Sequence, residues 1–105
     1  LIAGGYDKHL DYTPIAKPIV ENVSALVLVG ATTEKIYEAV TKELKSQNKE
    51  MPIVKCQTLE ETIKIAKQLA KPGEVVLFSP ASASFDMFKN FAERGNIFKQ
   101  LVNAI

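Results

Sequence analysis

A serine-rich turn late in the sequence carries side chains that are well placed to bind a ligand. The apolar residues 75–78 predict a buried strand, which ends in small residues including Ser82 and Ser84 before helical spacing begins. Parallel sheets bind ligands beyond the carboxyl ends of their strands, where helix N-termini offer N–H groups to anions. Ser84 can therefore present its hydroxyl to a carboxylate or phosphate, or it can simply cap the following helix.

Three aromatic residues follow the serines. Phe85, Phe88 and Phe91 recur at three-residue intervals, which places them on one face of a helix. Such a face is core by default, and it can also line a pocket. Spacing alone does not decide between the two.

Strand and helix patterns alternate along the whole sequence. Strands are predicted at residues 1–3, 24–29, 53–56 and 74–78, and helices at residues 14–20, 33–46, 59–70 and 92–103. Thr13 is the predicted cap of the first helix, Pro18 should shorten or bend it, and Thr58 with Glu61 forms a capping box for the third. Right-handed crossovers then give an α/β, Rossmann-like three-layer αβα domain with a mostly parallel sheet and with residues 24–29 as its central strand.

Two glycine positions are predicted to allow close approach of the backbone. Gly4 and Gly5 follow the first strand and predict a tight turn near a ligand, with residues 6–10 forming a loop. Gly95 lies inside the last helix, where it costs about 1 kcal/mol relative to alanine and so suggests contact with another element.

Composition narrows the range of functions. A chain of 105 residues with a formal net charge of +1 is one domain of ordinary size, without the electrostatic footprint of a nucleic-acid or membrane-surface protein. Its apolar runs are too short to cross a membrane, and no secretory signal is visible, so we expect a soluble, cytoplasmic protein. The single cysteine, Cys56, fits a reducing compartment and is better interpreted as a half-buried small residue than as a nucleophile.

Two segments resemble one enzyme family. Residues 79–98, SPASASFDMFKNFAERGNIF, are similar to the C-terminal signature of the Mur ligases of the MurD type, and the opening LIAGGYDK resembles the Gly-Gly-x-Asp-Lys segment that begins that family's C-terminal domain. The motifs stand in the right order at the two ends of the chain, and the resemblance covers what lies between. It implies that residues 1–105 are one C-terminal, amino-acid-binding domain.

The resemblance also implies roles for individual residues. Lys8 matches a lysine whose ammonium contacts the incoming D-glutamate, Ser84 matches the serine that receives its side-chain carboxylate, and Phe91 matches the phenylalanine that completes the pocket. Lys35 is the candidate for a second substrate lysine, the alternative being an exposed helix lysine. In the Lys8 loop, Asp7 can orient Lys8 or approach the nucleotide, and His9 can reach ribose or phosphate.

The implied reaction needs more than this chain. In the family, ATP phosphorylates the carboxylate of UDP-N-acetylmuramoyl-L-alanine, and the amine of D-glutamate attacks the acyl phosphate. ATP and Mg²⁺ are held mainly by a central domain, and the P-loop pattern G-x-x-x-x-G-K-[ST] occurs nowhere in these residues. We therefore expect no catalytic residue and no metal ligand in this domain, and no turnover by the isolated chain.

Two other interpretations remain open. The chain can be a non-catalytic Rossmann-like module that binds a small molecule or a protein partner, with Ser84 as a cap and the phenylalanines as core. It can also belong to a ligase of the same superfamily that adds another amino acid, such as L-alanine.

Overall fold

The computed structural model describes residues 1–79 and 90–104. Its three strands pair in parallel in chain order, which confirms the Rossmann-like α/β prediction and the central position of the strand predicted at residues 24–29. None of the helices in these ranges has the length and apolar character needed to cross a membrane. The elements are β1 (Ile2–Ala3), α1 (Thr13–Asn22), β2 (Leu26–Val29), α2 (Thr33–Gln47), β3 (Ile53–Cys56), α3 (Leu59–Leu69) and α4 (Phe91–Asn103).

The sheet is covered on both faces because β2 is apolar at every position. Leu26 and Leu28 point to one side, where they join the buried residues of α1 and α2, and Val27 points to the other, against Ala66 of α3. All four residues of β2 are buried. A strand with this composition is stable only between two layers of helices, so the three-layer arrangement follows from the sequence of β2.

The start of α1 differs from the sequence prediction. Thr13, the predicted cap, is the first helical residue, and Tyr12 occupies the cap position without a side-chain cap bond. The carboxylate of Asp11 accepts the Thr13 N–H at 2.9 Å. Aspartate readily bonds the backbone two residues ahead in this way, and the buried ring of Tyr12 fixes the helix start against the core.

Pro18 does not end α1. The helix continues to Asn22, two residues beyond the predicted end. A proline in a helix interior removes one backbone hydrogen bond, but Ile19 and Val20 directly after it are buried in the core, and this packing outweighs the loss. The Asn22 side-chain amide then donates to the Pro18 carbonyl at 2.9 Å.

The predicted capping box at the start of α3 is confirmed. Thr58 Oγ1 accepts the Glu61 N–H at 3.1 Å, and the Glu61 carboxylate accepts the N–H of Gln57 at 3.2 Å, one residue before the cap. Both bonds satisfy donors that a helix or turn would otherwise leave exposed. This end of α3 lies directly after β3.

The predicted fourth strand, residues 74–78, does not form as a buried strand. Within the described residues, a single parallel bridge joins Phe78 to Ile2, and the Ser79 N–H donates to the Ile2 carbonyl at 3.1 Å. The side chain of Val75 is 86% exposed. Because β1 is only two residues long, this edge segment has few backbone partners; its main packing contact is the stack of Phe78 on Phe98 of α4, with ring centroids 4.3 Å apart.

Gly4 lies where the chain leaving β1 crosses the end of β2. Its φ of +116° is one that residues with a side chain rarely adopt, and a Cβ at this position would overlap the carbonyl oxygen of Val29. The close approach predicted from the sequence is therefore real, but the group approached is the neighbouring strand.

The close approach predicted at Gly95 is wrong for the described residues. No heavy atom among them lies within 4 Å of a Cβ placed on Gly95. The residue occupies the interior of α4, where glycine lowers helix stability without a packing reason.

We expect Gly4→Ala to lower the free energy of unfolding of this chain by about 2 to 4 kcal/mol, since it combines backbone strain with overpacking. Urea unfolding followed by circular dichroism measures the loss. Gly73→Ala is the matched control, because Gly73 has a similar φ of +88° with open space around it and so reports the backbone contribution alone. Equal losses for the two variants would contradict the proposed steric overlap.

We expect Gly95→Ala to raise the free energy of unfolding by about 0.5 to 1 kcal/mol, because alanine loses less conformational entropy in a helix and meets no described neighbour. The same urea titration tests it. A loss of stability would show that Gly95 packs tightly against another part of the protein.

Candidate functional site

The carboxyl ends of the three strands meet at one edge of the sheet, which we call the carboxyl edge. The parallel register places Ala3 beside Leu28 and Val29 beside Cys56. Because Phe78 also pairs with β1 in parallel, the chain leading into the serine turn leaves at the same edge as the Lys8 loop. The Lys8 loop (residues 6–10) and the segment that leads to the serine turn therefore begin side by side.

Some of the predicted site residues lie beyond what the structure describes. Ser82 and Ser84 are outside the described residues. Phe91 is the first residue of α4, and only its backbone is described. The N-cap of this helix is Asn90, whose side-chain oxygen accepts the Glu93 N–H at 2.9 Å.

Reciprocal hydrogen bonds join the turns that follow β1 and β2. The Gly5 N–H donates to Thr32 Oγ1 at 3.0 Å, and the Thr32 N–H donates to the Gly5 carbonyl at 3.1 Å. Thr32 is fully buried and precedes α2 directly. The start of the Lys8 loop and the start of α2 are thus held together as one unit.

Lys35 and Asp7, both predicted site residues, are brought together at this edge. The Lys35 ammonium lies 3.0 Å from Asp7 Oδ1 and 2.9 Å from Oδ2. Asp7 Oδ1 also accepts the His9 N–H at 2.7 Å. Lys8, between Asp7 and His9, has an exposed side chain, and His9 adopts a left-handed φ of 62°.

This arrangement keeps Asp7 ionised. The hydrogen bond from Lys35, followed by that from the His9 backbone, lowers the pKa of the Asp7 carboxyl below its ordinary value. Asp7 is therefore a carboxylate across the neutral pH range. Lys35 is a partnered cation in this structure.

A second charged cluster joins β3 to α2 and was missed by the sequence analysis. The Lys55 ammonium lies 2.8 Å from Glu34 Oε1 and 3.9 Å from the centroid of the Tyr37 ring. Lys55 pairs in register with Leu28 and so points to the face that α2 covers. A lysine in an otherwise apolar strand was the available signal, because such a residue on a covered face needs an anionic or aromatic partner.

Cys56 ends β3 at the carboxyl edge and is buried in the core. Burial, with a smaller contribution from Glu61, raises the pKa of the thiol. The thiol is therefore protonated near neutral pH and is a poor nucleophile. This agrees with its interpretation as a packed small residue.

Concavities do not by themselves locate the site. One cavity of about 1060 Å³ lies at the opposite edge, between the end of α2 and residues 48–53, and it is wide open to solvent. A smaller groove of about 330 Å³ lies between the chain entering α1 and the α2 residues Lys35 and Lys42. We favour the carboxyl edge, because Asp7 and Lys35 meet there and the segment that ends at Ser79 leaves the sheet beside them.

The turn after β2 does not resemble a phosphate cradle. The Thr32 N–H is bonded to Gly5, and the N–H and hydroxyl of Thr33 both donate to the Gly30 carbonyl, at 3.2 and 2.7 Å. A phosphate site needs such N–H groups directed at the ligand. The turn after β2 therefore does not fit the phosphates of ATP.

Comparison with known proteins identifies the chain. No model of a protein family matches it. It is 52% identical over its whole length to the UDP-N-acetylmuramoylalanine--D-glutamate ligase of Acetivibrio thermocellus, of which it covers 23%. The ligases of the same name from Clostridium tetani and Clostridium perfringens are 48% and 46% identical over 97% and 100% of the chain, which spans 22% and 23% of them. The chain thus spans about a quarter of the length of the curated relatives it matches, and it corresponds to the C-terminal portion of ligases with this name.

Proposed function

We propose that residues 1–105 form the amino-acid-binding domain of a ligase that adds D-glutamate to UDP-N-acetylmuramoyl-L-alanine during peptidoglycan precursor synthesis. The observation that carries the proposal is the 52% identity, over the full chain, to a relative whose name states this activity. The carboxyl-edge geometry supports it, since the Lys8 loop and the segment leading to Ser84 begin beside each other.

The domain's part in the reaction is to bind and orient an amino acid. D-Glutamate carries two carboxylates, and burying them without partners would cost several kcal/mol per ion. In the proposal the Lys8 ammonium contacts the substrate, the Ser84 hydroxyl donates to the side-chain carboxylate, and Phe91 completes the pocket. The amine of D-glutamate is thereby directed at an acyl group held by the rest of the protein.

Other parts of the protein supply the remaining chemistry. In the proposed reaction the carboxylate of UDP-N-acetylmuramoyl-L-alanine would take the γ-phosphoryl group of ATP, leaving ADP, with Mg²⁺ supplying charge neutralisation. The amine of D-glutamate would then displace phosphate, forming the amide bond with loss of a proton. We propose that these ligands bind outside residues 1–105, with Asp7 and His9 near the nucleotide when the domains close. We propose that the reaction takes place in the cytoplasm.

Charge pairing at the carboxyl edge supports an anionic substrate. Asp7 would repel a dicarboxylate bound near Lys8, but the Lys35 ammonium within 3.0 Å neutralises it. The negative charge of Asp7 is therefore offset within the same edge. Among the described residues, no three His, Cys, Asp or Glu side chains gather into a group that could bind a metal ion.

We expect a chimera, in which this chain replaces the C-terminal portion of the Acetivibrio thermocellus ligase, to ligate D-glutamate in an ATP-dependent reaction. Phosphate release measured with D-glutamate, L-glutamate, L-alanine and meso-diaminopimelate gives the specificity, with the unaltered ligase as control. We expect the 105-residue chain alone to show no turnover. Ligation by the isolated chain, or preference of the chimera for another amino acid, would contradict the proposal.

We expect Ser84→Ala in the chimera to raise KM for D-glutamate by about tenfold to a hundredfold, since it removes a hydrogen bond to a charged group. KM for ATP should stay within about twofold. Ser24→Ala is the matched control, because the Ser24 hydroxyl donates to Glu74 away from the carboxyl edge. Equal effects of the two substitutions on KM for D-glutamate would exclude the assigned role of Ser84.

A further inference from the structure

We infer that Asp7 and Lys35 form a positioning pair, which holds the loop of residues 6–10 and thereby sets the place of Lys8 at the carboxyl edge. The inference on loop conformation stands on the described contacts alone. Its consequence for substrate binding rests on the proposed function.

The Asp7 carboxylate acts on both sides of Lys8. It belongs to the residue before Lys8, and it accepts the N–H of the residue after Lys8, His9, at 2.7 Å. This closes a short turn with Lys8 at its centre. His9 is held in a left-handed conformation, with φ 62°, which is unfavourable for a residue with a side chain unless the surroundings compensate for it.

Lys35 connects this turn to a rigid support. It lies in the first turn of α2, between the buried Thr32 and the buried Ile36. Its ammonium contacts both oxygens of Asp7, at 3.0 and 2.9 Å, across 28 residues of sequence. The position of α2 therefore determines the orientation of the Asp7 carboxylate and, with it, the turn around Lys8.

Most side chains of the loop are exposed. Their burial therefore offers little support in place of the Asp7 and Lys35 ion pair. Lys8, His9 and Asp11 are exposed, and Leu10 is 57% exposed. The Asp7 side chain is better shielded, with an exposed fraction of 23%. A loop with little apolar burial depends on its polar contacts for a defined conformation.

The pair has a second effect on Lys8. Without Lys35, the Asp7 carboxylate would turn to the nearest cation, and Lys8 is its neighbour in sequence. An ion pair between them would compete with an anionic ligand for the Lys8 ammonium. Lys35 thus engages the carboxylate that is nearest to Lys8 in sequence.

The first test uses the 105-residue chain and nuclear magnetic resonance. We expect Lys35→Met to shift the backbone amide signals of residues 6–10 and to speed hydrogen exchange at the His9 amide by about fivefold. It should also move the Asp7 carboxyl pKa up toward its ordinary value. Lys35→Arg should restore the native spectrum in this loop.

The control is Glu60→Gln, which removes an exposed ion pair of α3 with Lys64 at 3.4 Å and should leave residues 6–10 unchanged. An unchanged His9 amide in Lys35→Met would overturn the inference. A change spread over the whole chain, rather than confined to the loop and the start of α2, would also overturn it.

The second test uses the chimera and separates the pair from the proposed function. We expect Lys35→Met and Asp7→Ala each to raise KM for the accepted amino acid by about threefold to tenfold, and the double variant to do no more than either alone. The values of kcat should change by less than about twofold. If the unaltered chimera accepts an amino acid other than D-glutamate, the proposed substrate is wrong while the pair is still tested with the accepted one. Additive effects, or no effect on KM, would overturn the positioning role.

Discussion

The fit of the turn after β1 against the end of β2 is the constraint on which the carboxyl edge depends. Gly4 passes so close to the Val29 carbonyl that no side chain fits, and Gly5 then exchanges two hydrogen bonds with Thr32. These contacts fix the direction in which the chain leaves the sheet and the point at which α2 begins. The Lys8 loop and Lys35 extend from that shared base, so their ion pair has a defined geometry before any ligand is present.

Charge at this edge is organised in pairs across different elements. Asp7 of the loop meets Lys35 of α2, and Glu34 of α2 meets Lys55 of β3, with Tyr37 beneath the lysine. Partly exposed ion pairs contribute little to global stability, and salt screens them. Their value here is geometric, because they connect the loop of residues 6–10 to α2 and α2 to β3.

The parts of the fold that could be predicted from the sequence are those set by local patterns. The unbroken apolar run of β2 indicated a strand covered on both faces, and Thr58 with Glu61 indicated the start of α3. Predictions failed where tertiary context decides: burial of Ile19 carries α1 past Pro18, and the short β1 leaves residues 74–78 as an exposed edge segment. The Asp7 to Lys35 contact could not be predicted, because its partners are distant in sequence and a single charge has no periodicity.

The hydrogen bonds that the backbone makes in the turn after β2 determine what kind of ligand the carboxyl edge can hold. In nucleotide-binding sheets the amides of the turn after a strand are directed at phosphate. Here the Thr32 and Thr33 amides are used to close the turn and to hold Gly5, so they are committed before a ligand arrives. Recognition then falls to side chains, for which placement must come from neighbouring charges instead of from a helix dipole. An edge of this kind agrees with the proposed ligand, an amino acid whose separate carboxylates each need a cation or hydroxyl. The Asp7 and Lys35 pair is the contact that we infer to place the Lys8 cation.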